Sequence, residues 1–133
     1  MEPGKTVAVF GLGCLGLSVI QASKKAGAID IVVVDINDNK FEAAKNLGAN
    51  FFVNPMKCED DGRGQLLGRH KWGYDYTFDC TGNVGVMRTA LEVAHRGWGQ
   101  SCIIGVAAAG KEISTRQTNN ICIKILTKIH SNL

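Results

Sequence analysis

Gly11-Leu12-Gly13-Cys14-Leu15-Gly16 spells G-x-G-x-x-G between a β-branched run, Thr6–Phe10, and an amphipathic stretch, Leu15–Ala26. Placed between a strand and a helix, each glycine has a physical task. Gly11 permits the tight turn, Gly13 lets backbone approach a pyrophosphate, and Gly16 lets the helix pack closely on the sheet. The N–H groups and dipole of the helix that starts here favour phosphate anions. Asp35 ends the second apolar run, nineteen residues after Gly16. A carboxylate there accepts hydrogen bonds from the hydroxyls of an adenosine ribose. It also discriminates, because a 2′-phosphate about 4 Å away meets repulsion of up to roughly 4 kcal/mol per charge at an effective dielectric near 20. Ile36-Asn37-Asp38 offers no arginine to offset that, so NAD is expected over NADP.

Each feature has a plainer reading. Glycines of this spacing also serve packing alone, and an isolated Asp35 can cap a helix or sit in a loop. Strand, spacing, helix and acid in register favour the dinucleotide reading.

The elements needed to position these residues follow from periodicity. Thr6–Phe10 (TVAVF) reads as a strand, and Leu15–Ala26 as a helix with Gly16, Val19, Ile20, Ser23 and Ala26 on a small, apolar face. Ile31–Val34 is apolar throughout, as a parallel strand covered on both faces should be. Asp38–Leu47 reads as a helix, Phe51–Val53 as a short strand, Tyr74–Cys80 as a fourth and Gln100–Val106 as a fifth. Asn83 caps a helix expected to run through Arg96, with Met87, Ala90, Leu91 and Ala94 on one face. In residues 56–72, Gly62, Gly64 and Gly68 weaken any helix, so a loop with one turn near Gln65–Leu67 is expected. This alternation predicts a doubly wound parallel α/β sheet of the Rossmann type, five to six strands in the order 3-2-1-4-5. Two loops, Thr81-Gly82-Asn83 and Gly105-Val106-Ala107, then fall at carboxyl ends of strands; each fits a lining role or an ordinary turn.

Bulk properties narrow the class. The chain has 133 residues, 45% hydrophobic and 20% charged, with a net charge of +3. That suits one globular domain. The densest basic stretch, Arg69-His70-Lys71, reads as a solvated loop, so no nucleic-acid partner is expected. Five cysteines without C-x-x-C spacing, at positions 14, 58, 80, 102 and 122, point to a reducing compartment. Cys80, Cys102 and Cys122 lie in apolar stretches and read as buried thiols, while the three histidines read as surface residues. No apolar run is long enough to cross a bilayer, so no membrane partner and a cytoplasmic location are expected.

Four blocks carry a more specific signal: VAVFGLGCLGLSVI, VDINDNKFEAAKNLGA, DYTFDCTGNVGVMRTALE and HRGWGQSCIIGVAAAGKEISTR. Together they resemble the zinc-dependent medium-chain alcohol dehydrogenases, and the last block is most similar to the glutathione-dependent formaldehyde dehydrogenase class. The resemblance covers residues 2–116, and residues 1–116 are expected to form the NAD-binding domain. It implies that Gly11, Leu12, Gly13, Cys14, Leu15 and Gly16 hold the pyrophosphate, with Leu15 against the nicotinamide where the family usually has valine. By the same resemblance, Asp35 and Lys40 bind the adenosine ribose and Thr81 lies along the adenosine side. Ile104, Gly105 and Val106 meet the nicotinamide through backbone groups.

The departures set the expectation for activity. The family's catalytic zinc is held by two cysteines and a histidine in a separate, preceding domain, and no cysteine here corresponds to those ligands. No catalytic and no metal residue is therefore assigned. Residues 117–133 depart from the family as a divergent tail, in which Ile121–Ile125 reads as a substitute edge strand. The family's dimer-forming edge falls in this tail, so a homodimer and a separately supplied catalytic domain both stay open as partners. The expected function is the NAD-binding domain of an alcohol dehydrogenase-like oxidoreductase, truncated and inactive alone. The competing reading is a stand-alone NAD-binding or redox-sensing module.

Overall fold

In the computed structural model, which describes residues 1–114, five parallel strands form one sheet in the order β3-β2-β1-β4-β5. The strands are β1 (Thr6–Phe10), β2 (Asp30–Val34), β3 (Phe51–Val53), β4 (Tyr76–Asp79) and β5 (Gln100–Ile103). The helices are α1 (Cys14–Lys25), α2 (Phe41–Asn46), α3 (Arg63–Arg69) and α4 (Val84–Glu92). Short 3₁₀ turns at Asp38–Lys40 and Pro55–Lys57 follow β2 and β3. The expected strand order is the one found. The expected tail, residues 117–133 with Ile121–Ile125, lies outside the described residues.

Alternation along the strands divides the core in two. Val7, Val9, Ile31 and Val33 face one side with Ile20 and Ala44, whereas Ala8, Phe10, Val32 and Val34 face the other with Leu66 and Ala90. Each central strand thus buries both faces, which is why β2 reads as an unbroken DIVVV.

Several element ends differ from the sequence expectation. β4 stops short of Tyr74, which makes only an isolated bridge to Ala94, and β5 stops at Ile103 rather than Val106. The fourth helix ends at Glu92 rather than Arg96. The largest correction falls in residues 56–72, where α3 replaces the expected loop. Leu66 is fully buried, its carbonyl accepts from the Tyr74 hydroxyl at 3.0 Å, and Asp60 Oδ2 accepts the Gly64 N–H. The buried packing and this local bond at the helix start outweigh the poor helix propensity of Gly64 and Gly68.

The Arg69-His70-Lys71 stretch is also not a free loop. Arg69 donates Nε and Nη2 to the two Asp30 oxygens at 2.6 and 2.8 Å, and His70 Nε2 lies 2.7 Å from Asp30 Oδ2. This cluster pins the end of α3 to the start of β2. His70 is accordingly half-buried rather than a surface histidine, and Cys80 and Cys102 are half-buried rather than fully enclosed.

Burial pushes the Asp30 carboxyl up, but the hydrogen bonds and charges of Arg69 and His70 outweigh it and hold it below the usual value. A carboxyl depressed in the folded state stabilises the fold above its unfolded pKa and loses that contribution as pH falls through its folded value. Replacement Asp30→Asn should therefore cost about 1–2 kcal/mol at neutral pH. The gap between wild type and variant in denaturant unfolding should close as the pH drops from about 5 through the depressed folded value. A gap independent of pH contradicts this role for Asp30.

Candidate functional site

The carboxyl ends of β1, β2 and β4 open onto one cleft of about 390 Å³. It forms where the chain leaves β1 for α1 on one side of the sheet and returns to β4 on the other, the position at which open α/β sheets take ligands. Its walls bring together Gly11, Leu12, Gly13, Asp35, Lys40 and Thr81.

The glycine loop is shaped by two contacts that exclude side chains. Gly11 sits at φ +89°, a left-handed conformation that favours glycine. A Cβ on Gly16 would fall 1.8 Å from the Gly11 carbonyl oxygen, so only glycine lets α1 start this close to β1. Gly13 is different. A Cβ there would meet nothing within 4 Å, so no contact inside the protein requires glycine at this position. The space it leaves is open at the helix start, where Gly13 is exposed. Gly13 is the N-cap of α1, with no side-chain cap and no acidic residue in the first turn. The first N–H groups of the helix are thus left for an external acceptor.

Asp35 closes the other side. Its side chain is 6% exposed, with Oδ2 accepting the Leu12 N–H at 2.7 Å and Oδ1 accepting the Asn37 N–H at 2.8 Å. Lys40 Nζ lies 3.6 Å from Oδ2. Each carboxylate oxygen has two lone pairs, so after these backbone bonds Asp35 can still accept from a ligand hydroxyl. Leu12 itself is 2% exposed with its N–H committed to Asp35, so it contributes by tethering the loop.

The loops after β4 and β5 are organised by Asp79, a residue the sequence reading passed over. Asp79 is fully buried and accepts from the Thr81 hydroxyl at 2.6 Å and the Thr81 N–H at 3.2 Å. Its backbone carbonyl accepts from Ile104 and Gly105. Burial pushes the Asp79 carboxyl above the usual range despite the bonds from Thr81 and Gly82. An acid ending a buried strand just before Thr81-Gly82 was the available signal. A Cβ on Gly105 would meet the Gly82 nitrogen at 2.1 Å, so the two loops lie in direct contact.

Of the remaining expected residues, Cys14 and Leu15 are exposed in the first turn of α1, while Gly16 is buried beneath it. Ile104 and Gly105 are half-buried and Val106 is 81% exposed. None of the three lines the cleft: Gly105 and Val106 pack against Gly82, and the Ile104 N–H donates to the Asp79 carbonyl. Among the described residues no group of three or more His, Cys, Asp or Glu side chains is placed to hold a metal ion. No helix among them is long and apolar enough to cross a membrane.

A family model for zinc-binding dehydrogenases matches residues 14–131. The chain belongs to the zinc-binding dehydrogenase family. It is 54% identical over 116 residues to S-(hydroxymethyl)glutathione dehydrogenase of Escherichia coli O1:K1, a match covering 87% of this chain and 31% of that relative. The chain thus spans about a third of the length of the curated relatives it matches. Among solved structures, 2R,3R-butanediol dehydrogenase from Bacillus subtilis superposes with a TM-score of 0.82 at 32% identity, covering 96% of this chain and 36% of that one. A zinc-binding dehydrogenase structure from Sinorhizobium meliloti 1021, bound to NADP, shares the fold with a TM-score of 0.81 at 24% identity, over 86% of this chain and 34% of that one.

The glycine contacts of this zinc-binding dehydrogenase chain separate fold from ligand space. Gly16→Ala should lower stability by about 3 kcal/mol, because the added methyl meets backbone that cannot swing aside. Gly13→Ala should cost no more than about 1 kcal/mol, the difference between glycine and alanine as an N-cap. Denaturant unfolding of the two variants checks the contrast, and equal losses would contradict it.

Proposed function

We propose that this chain is the NAD-binding domain of an alcohol dehydrogenase of the S-(hydroxymethyl)glutathione dehydrogenase type. The observation that carries the reading is the pairing of Asp35 with the open space at Gly13 across one cleft. Their chemistry suits the two ends of an adenosine diphosphate moiety. The unpaired N–H groups at the start of α1 take the pyrophosphate, and Asp35, with Lys40 beside it, takes the ribose hydroxyls. Thr81 borders the adenosine side. Cys14 and Leu15 present the first turn of α1 to the pyrophosphate, Gly16 sets its height, and Leu15 faces the nicotinamide. Backbone groups of Ile104, Gly105 and Val106 orient the carboxamide.

When bound, NAD accepts a hydride from the alcohol carbon. The chain's own part is to hold the dinucleotide extended and to fix the nicotinamide face. Among the described residues no zinc donor set is brought together, so no metal step is assigned to them, and their part is that of a cofactor platform. The alternative reading, a stand-alone NAD-binding module, rests on that same observation. A partner chain that restores alcohol oxidation to the NAD-loaded protein would decide between the two.

Preference for NAD over NADP follows from Asp35. Its buried carboxylate already faces the cleft, and a 2′-phosphate would lie against it with only Lys40 to offset the charge. The chain should bind NADH at least about tenfold tighter than NADPH in a fluorescence titration. Asp35→Ser should remove most of that preference, and Gly13→Ala should abolish binding of both. Equal affinity of the wild type for the two cofactors would overturn the role given to Asp35.

A further inference from the structure

A second recess of about 280 Å³ adjoins the cleft and shares its walls at Val34, Pro55 and Val86. Phe10 and Met56 complete its apolar sides. If the ribose is held at Asp35, the base on that ribose has this recess within one sugar's reach, and its apolar walls suit the faces of a flat aromatic ring.

Three polar side chains border the recess: Asp61, Asn83 and Thr89. Two are held in place by the fold, and their acceptor or hydroxyl oxygen is engaged. Asn83 Oδ1 accepts the N–H groups of Gly85 and Val86, and Thr89 Oγ1 donates to the Gly85 carbonyl. Asp61 is exposed, and among the described residues its carboxylate takes no hydrogen bond. Its neighbour Asp60, by contrast, is spent on the N-terminus of α3. Asp61 is also the only non-glycine residue with positive φ among those described, at 56°. A left-handed aspartate is tolerated at a cost that glycine would avoid, and the next residue is already a glycine. The backbone thus keeps a side chain where the fold itself would prefer none, and that side chain is a solvent-facing acceptor, without a protein partner among the described residues, at the edge of an apolar slot.

We propose that Asp61 is a specificity-determining residue of the nucleotide site, accepting the exocyclic amino group of a purine seated in this recess and so selecting adenine over hypoxanthine. The inference rests on the dinucleotide reading above. Adenine directs an N–H donor outward at its 6-position, whereas hypoxanthine directs a carbonyl oxygen there, which the carboxylate repels.

The test compares NADH with reduced nicotinamide hypoxanthine dinucleotide on the wild-type chain and on Asp61→Gly, with thermal unfolding of both proteins. Glycine adopts the left-handed conformation freely, so Asp61→Gly should melt no lower than wild type. The wild type should bind NADH about tenfold tighter than the hypoxanthine analogue, and Asp61→Gly should bind the two alike. A wild type indifferent to the base, or a preference that survives in Asp61→Gly, overturns the inference while leaving the dinucleotide site standing. Absence of saturable NADH binding by the folded wild type removes both.

Discussion

The cleft depends on how closely α1 approaches β1. With no side chain at Gly16, the helix begins against the Gly11 carbonyl, and that contact sets where its first turn points. A helix displaced outward by one methyl would carry its unpaired N–H groups away from the cleft and loosen the loop that Asp35 tethers through Leu12. One steric constraint therefore aligns three things: the helix start, the loop and the acid at the end of β2. The rest of the sheet supplies a rigid frame for that alignment, since its central strands are buried on both faces.

Opposite the glycine loop, the returning strands meet a similar demand by different means. Asp79 gathers the turn after β4 with its carboxylate and the segment after β5 with its backbone carbonyl. The close contact of Gly82 with Gly105 then holds the two loops together. Buried charge is costly unless hydrogen-bonded, and three donors from Thr81 and Gly82 offset part of that cost without closing the cleft. Both rims are thus shaped by a buried aspartate at a strand end, Asp35 on one side and Asp79 on the other.

What could be read from the sequence follows from how local the signals are. The β1–α1 turn, the place of Asp35 at the end of β2 and the strand order rest on short-range patterns, glycine spacing and β-branched runs, and the structure reproduces them. The helix α3 was not legible, because Gly62, Gly64 and Gly68 argue against it locally. Besides the local bond from Gly64 to Asp60, what holds it lies outside the segment: Tyr74, Asp30 and the ion pair of Arg63 with Glu92. Asp61 was hidden for the same reason. Its position beside the recess is defined only once α3 has folded. Asp79 left a visible trace, yet an acid inside a strand pattern has no meaning until the loops it organises are known.

The most direct test is an amide chemical-shift titration of the chain with NAD. Saturable shifts are expected at Gly13 to Gly16, at Asp35 to Asn37 and in the Thr81–Asn83 and Ile104–Val106 loops. Amides at the opposite ends of the strands, near Thr6 and Gln100, should stay still. No shifts in a folded chain, or shifts centred away from the Gly13–Asp35 cleft, would contradict the dinucleotide reading.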